Sequence, residues 1–86
     1  MTATPPDPVV GREVYSDLIG MIRAWVNDKI REEEDRAKPD AGLIAYLQYE
    51  SRRWFEVERD RRLLDDEQVN DAVHEYARLV QTLNRT

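Results

Sequence analysis

The chain reads as all-α: a three-helix, up-down-up bundle with two long helices, expected to be oligomeric. Three observations point there. Apolar residues recur at three- and four-residue steps through most of the 86 residues. No segment alternates apolar and polar residues between turn signals, as a strand would. Charged residues make up 36% of the chain, above the usual ~25%. That share suits a small helical protein with a narrow core and wide solvated faces.

The elements follow in order. Residues 1–10 read as a flexible Pro-rich leader, and residues 11–86 as a single helical domain. Asp7-Pro8 has the form of an N-cap followed by proline at the first helical position, so the first helix begins at Pro8 or a turn later near Arg12. Its apolar positions are Tyr15, Leu18, Ile19, Ile22, Trp25, Val26 and Ile30. Gly20 falls on the outer face. It is either simply tolerated there or marks a close approach by another helix. Pro39 ends the helix, because the residue before proline avoids helical backbone angles. Lys38-Pro39-Asp40 is the expected turn.

The second helix is expected from about Asp40 to Leu63, with the stripe Leu43, Ile44, Leu47, Ser51, Trp54 and Phe55, and Val57 at its margin. Leu64 to Gln68 makes the next connection, where Asp65 and Gln68 have capping-box spacing with Asp in place of Ser or Thr. The third helix carries Val69, Val73, Tyr76, Val80 and Leu83, the most regular seam in the chain. Short connections make sequential helices antiparallel. Folding the chain at Pro39 sets Ile30 opposite Leu47, Val26 opposite Ser51 and Ile22 opposite Phe55. The first two turns of the second helix then face the charged stretch REEEDR, residues 31–36. Either a second copy or a partner covers Leu43, Ile44 and Leu47, or Leu79, Val80 and Leu83 reach them within one subunit. The first reading makes Leu43, Ile44 and Leu47 an oligomer interface.

Composition excludes several jobs. The net charge of −5 works against broad phosphate binding, so no nucleic-acid partner is expected. The absence of cysteine removes disulfides, thiol catalysis and Cys-type metal sites. MTATPPDPVV has no basic region followed by an apolar stretch, and does not read as a signal peptide. The longest apolar run, AGLIAYL at residues 41–47, is far short of a membrane span. A cytoplasmic location is the expectation. Only two of the 13 basic residues are lysines, Lys29 and Lys38, which hints at a GC-rich bacterial genome.

Candidate chemistry is sparse. His74, the single histidine, follows Asp71 at one-face spacing, but the helical seam puts both outward and a metal needs further ligands. Residues 32–35, EEED, point in successive directions around a helix and cannot converge on one ion; they read as a solvated helix end. Glu50 lies at the edge of the second stripe. It is either a half-buried acid or base, or the partner of an arginine such as Arg53. No Gly-rich phosphate loop is present, and neither Ser16 nor Ser51 has a histidine at triad spacing. No cofactor, metal or catalytic residue is assigned. Asp65, Asp66, Glu67 and Asp71 would repel phosphates if the last two helices were read as a DNA-binding pair.

The outer face of the second helix stands apart. Tyr46, Tyr49 and Arg53 share one side, with Arg52 adjacent, and Tyr and Arg are enriched in binding hot spots. The leading expectation is therefore a non-enzymatic protein–protein interaction module, a small bacterial or phage adaptor, regulator or inhibitor, binding through Tyr46, Tyr49, Arg52 and Arg53. One alternative is a small helical dimeric enzyme with an arginine-lined site built from Arg12, Arg23, Arg52 and Arg53. Another is an acidic antagonist of a nucleic-acid-binding protein.

Overall fold

The computed structural model describes residues 8–85. Three helices account for nearly all of them: α1 (Pro8–Glu34), α2 (Ala41–Arg59) and α3 (Asp66–Asn84), with a 3₁₀ turn at Asp60–Leu63 after α2. No strand occurs among the described residues. Helix α1 starts at Pro8, where the missing N–H costs nothing because the first turn has no acceptor for it. The Asp7 cap lies outside the described residues, as do residues 1–6 of the expected leader; positions 8–10 already belong to α1.

Helix α1 stops at Glu34, earlier than Pro39 requires. Glu33 explains the difference. Its carboxylate is only 6% exposed, so it is not part of a solvated end. It accepts the backbone N–H of Asp40 at 2.9 Å and the Arg36 guanidinium at 3.1 Å. Arg36 reaches it at three-residue spacing, and the Asp40 N–H reaches it only because the chain leaves the helix after residue 34 and doubles back. Asp40 then caps α2 by accepting the Leu43 N–H at 3.1 Å. One residue thus receives the clamp and gives the cap, and the six-residue connection is pinned at both ends.

Three cross-links set the register of α1 against α2. Ser51 Oγ donates to Asn27 Oδ1 at 3.1 Å, Arg23 donates to Glu58 at 2.9 Å, and Arg12 donates to the carbonyl of Arg61 at 3.3 Å. One index falls as the other rises, so the pair is antiparallel, within a residue of the expected Val26–Ser51 alignment. The rotation of α2 differs from expectation. Trp54 is 5% exposed, but Phe55 is 51% exposed and lies 5.3 Å beneath the Arg23 guanidinium. Successive residues diverge by about 100° around a helix, so both rings cannot point at the core. Trp54 wins because α3 supplies an aromatic partner on its side. Arg23 is half-buried between α1 and α2, where it pairs with Glu58.

Helix α3 opens with the expected capping box. Asp65 accepts the Gln68 N–H at 2.7 Å, and the Gln68 side chain accepts the Asp65 N–H at 2.9 Å. Arg12 of α1 anchors this turn through the Leu64 carbonyl at 2.9 Å and the Asp66 carboxylate at 3.0 Å. Val69 is buried, and Val73, Tyr76, Val80 and Leu83 pack at the edge of the core.

Helix α1 is the hub. Both α2 and α3 pack along it, whereas α2 and α3 approach each other little. They meet mainly through Trp54 and Tyr76, whose rings are 5.0 Å apart and nearly perpendicular, with Tyr15 of α1 5.7 Å from Tyr76. The result is a slab rather than a ball. Its extents are 53 × 28 × 15 Å and its radius of gyration is 15.3 Å, against roughly 12 Å for a compact chain of this length. A furrow runs between α2 and α3.

Candidate partner-binding surface

The upper part of the furrow is an open groove of about 470 Å³. Its floor is α1, at Ile22, Trp25 and Val26. Leu43, Tyr46 and Leu47 form the α2 wall together with Glu50, Arg53 and Trp54. Leu79 and Leu83 form the α3 wall. The α2 positions share a face because they follow each other at three- and four-residue steps. The α3 pair is one turn apart for the same reason.

The two residue sets singled out from sequence merge here. Tyr46 and Arg53 share the groove with Leu43 and Leu47. Leu47 is buried at its wall, Leu43 is partly open at 40% exposed, and Tyr46 is 59% exposed. Ile44 is half-buried and does not line the groove. Tyr49 and Arg52 are exposed and lie beyond its lip. Leu79 and Leu83 do reach toward Leu43 and Leu47, but across the furrow rather than closing over it.

Arg53 divides the furrow. Its Nε and terminal nitrogen donate to Glu50 Oε2 at 3.3 and 2.9 Å, and its guanidinium lies 4.9 Å above the Trp54 ring. The hydrogen bond to Glu50 holds its pKa above the ordinary arginine value. Glu50 is thus an arginine partner. Beyond Arg53 the furrow continues into a second concavity lined by Tyr15, Glu56, Asp60, Leu64 and Tyr76. Burial pushes the Tyr15 hydroxyl up to about 12, with Tyr76 beside it adding to the shift. Burial also raises Tyr76, and the neighbouring Glu75 carboxylate acts in the same direction. Glu75 precedes Leu79 by one turn and its carboxylate acts on Tyr76, so it continues the α3 lip. The furrow therefore changes character along its length: apolar between Leu43 and Leu83, acidic between Glu56 and Glu75.

The arginines do not assemble a shared site. Arg12 holds the turn before α3, Arg23 pairs with Glu58, Arg52 is exposed, and Arg53 alone meets Glu50. Arg52, Arg53 and Arg59 also interrupt any continuous acidic face on α2. His74 is exposed, and no group of three or more metal-ligating side chains converges among the described residues. No described helix is long and apolar enough to cross a membrane.

Sequence reasoning missed Trp25 as part of the groove floor and Glu33 as a buried clamp. The first had a signal: Trp25 is one of the apolar positions of the α1 stripe. The second had none, since the burial of Glu33 depends on how the loop returns. The chain matches no family model, no curated protein and no solved structure.

Proposed function

We propose that this protein is a non-enzymatic protein–protein interaction module that binds a partner protein in the furrow between α2 and α3. One observation carries the reading: an apolar groove framed by Tyr46, Leu43 and Leu79 stays open on a chain too small to expose much apolar surface without use. Tyr46 and Arg53 are the anchors, since a rigid aromatic and a guanidinium at a groove wall give large contact area for little lost entropy. Tyr49 and Arg52 form the rim. Enzymatic use is disfavoured by the separation of Arg12 and Arg23 from Glu50. The regulator or inhibitor role, in a bacterial or phage cytoplasm, remains the setting this module best fits. A second copy of the chain, seated through Leu43, is the competing occupant.

A photo-crosslinking residue tests this directly. Placed at Tyr46, it is expected to capture a discrete protein in the cell that makes this chain. Placed at Arg62, on the exposed 3₁₀ turn, it is expected not to. Equal capture from both positions, or none from Tyr46, overturns the proposal; capture of the chain itself replaces the partner with a homodimer.

A further inference from the structure

We infer that the furrow's occupant is a cationic amphipathic helix of another protein, a deepening that rests on the interaction-module reading above. Shape gives the first argument. Two helices pack along a third but approach each other little, leaving a trough, the gap that one more helix fills in a bundle. From Leu43 to Asp60 the trough is about 26 Å long, which a helix of about 18 residues spans.

Charge gives the second argument. At the Leu43 end the walls are leucine and tyrosine, and the charges there pair off: Glu50 with Arg53, Lys29 with Glu32 and Arg36 with Glu33. At the other end Glu56 stands on α2 with Asp60 as its C-cap, and Glu75 stands on α3 beside Tyr76. Arg59 offsets Asp60, so the remaining carboxylates leave this half negative. An occupant must therefore be apolar along one half and basic along the other, on a single face. Apolar side chains three and four residues apart would seat on Leu43, Leu47, Leu79 and Leu83. Lysine or arginine side chains one to two turns further on would lie over Glu56 and Glu75. A second copy fits less well. It brings a further net charge of −5, and the exposed apolar residues Val14 and Met21 of its α1 come with Glu13 and Asp17 beside them.

The test uses the full chain and synthetic helical peptides of about 18 residues. The first peptide has leucines on one face of its first half and lysines on the same face of its second. The second replaces those lysines with glutamates. The third keeps the first composition but scatters the leucines. Trp25 and Trp54, which line the groove, report binding by fluorescence. The first peptide is expected to bind, more weakly as salt rises, and about tenfold more tightly than either control. Reversing charge with Glu56→Lys and Glu75→Lys together is expected to lose the lysine peptide and gain the glutamate one. Equal binding of the scattered peptide reduces the effect to bulk charge and overturns the inference. So does a tryptophan response to protein concentration alone, which assigns the furrow to self-association. If no peptide binds while Tyr46 still crosslinks a partner, the helical occupant is wrong and the interaction module stands; if both fail, the module falls with it.

Discussion

The two long edges of α2 are built differently. The edge against α1 is held by directional bonds: Glu33 to the Asp40 backbone, Asn27 to Ser51, and Arg23 to Glu58. The edge facing α3 has one ring contact, Trp54 on Tyr76, with open concavities above and below it. Directional bonds fix a register because each tolerates little displacement. Apolar side chains across a gap fix none. The bonded edge makes α1 and α2 a rigid hairpin, and the open edge is where a further element can be received.

The sharpest way to break this picture is at the ring contact. Replacing Trp54 by Ala removes the large buried group that joins α2 to Tyr76 of α3. A loss of about 3–5 kcal/mol is expected in urea unfolding. A chain of this size has roughly 4–13 kcal/mol in total, so the variant should lose a large share of its stability. Phe55→Ala, one residue away, is expected to cost under about 1 kcal/mol, because the ring is half in water and contacts mainly Arg23. Equal losses from the two would mean that α2 is rotated from the position described.

Next in size is the clamp. Glu33→Ala leaves the Asp40 N–H without its acceptor and frees Arg36. A loss of about 2–3 kcal/mol is expected, read as a lower thermal midpoint. Glu33→Gln keeps one oxygen acceptor and should cost about half as much. If both variants match the parent, the α1–α2 edge is not held by this carboxylate.

This contrast also marks what the sequence could convey. Periodicity located all three helices, and residue chemistry located the cap at Asp65, because those signals are local. The register at Ser51 followed from loop length and the position of Pro39. The rotation of α2 did not follow. Trp54 and Phe55 are equally apolar neighbours, and only the position of Tyr76, more than 20 residues on, decides between them. Glu33 was illegible for the same reason, since its partners come from a loop that has to return first. The furrow was half legible. Leu43, Tyr46, Leu47 and Arg53 were singled out as two separate surfaces, and it took the α3 wall to join them into one.

The tyrosines beneath the ring contact give a pH test. The Tyr15 hydroxyl is pushed up to about 12, above its ordinary 10, mainly because its side chain is buried. Below pH 10 the residue is protonated folded or unfolded, and its contribution is intact. As pH rises toward 12 the unfolded chain releases the proton and the folded one retains it, so stability falls by up to about 1.4 kcal/mol per pH unit. Tyr15→Phe, which has no proton to lose, should show a shallower decline over that window in chemical denaturation. An unchanged decline would move the alkaline sensitivity to another group.

The smallest expected effect is at Gly20, on the exposed back of α1. A β-carbon added there meets nothing within 4 Å. Glycine in a helix interior costs about 0.5–1 kcal/mol relative to alanine, through the freedom it has when unfolded. Gly20→Ala should therefore stabilise the domain by about that amount and leave capture from Tyr46 unchanged. Stabilisation together with lost capture would carry a different message: that a partner presses closely on the back of α1, where only glycine leaves room, and that the open edge of α2 is not the surface in use.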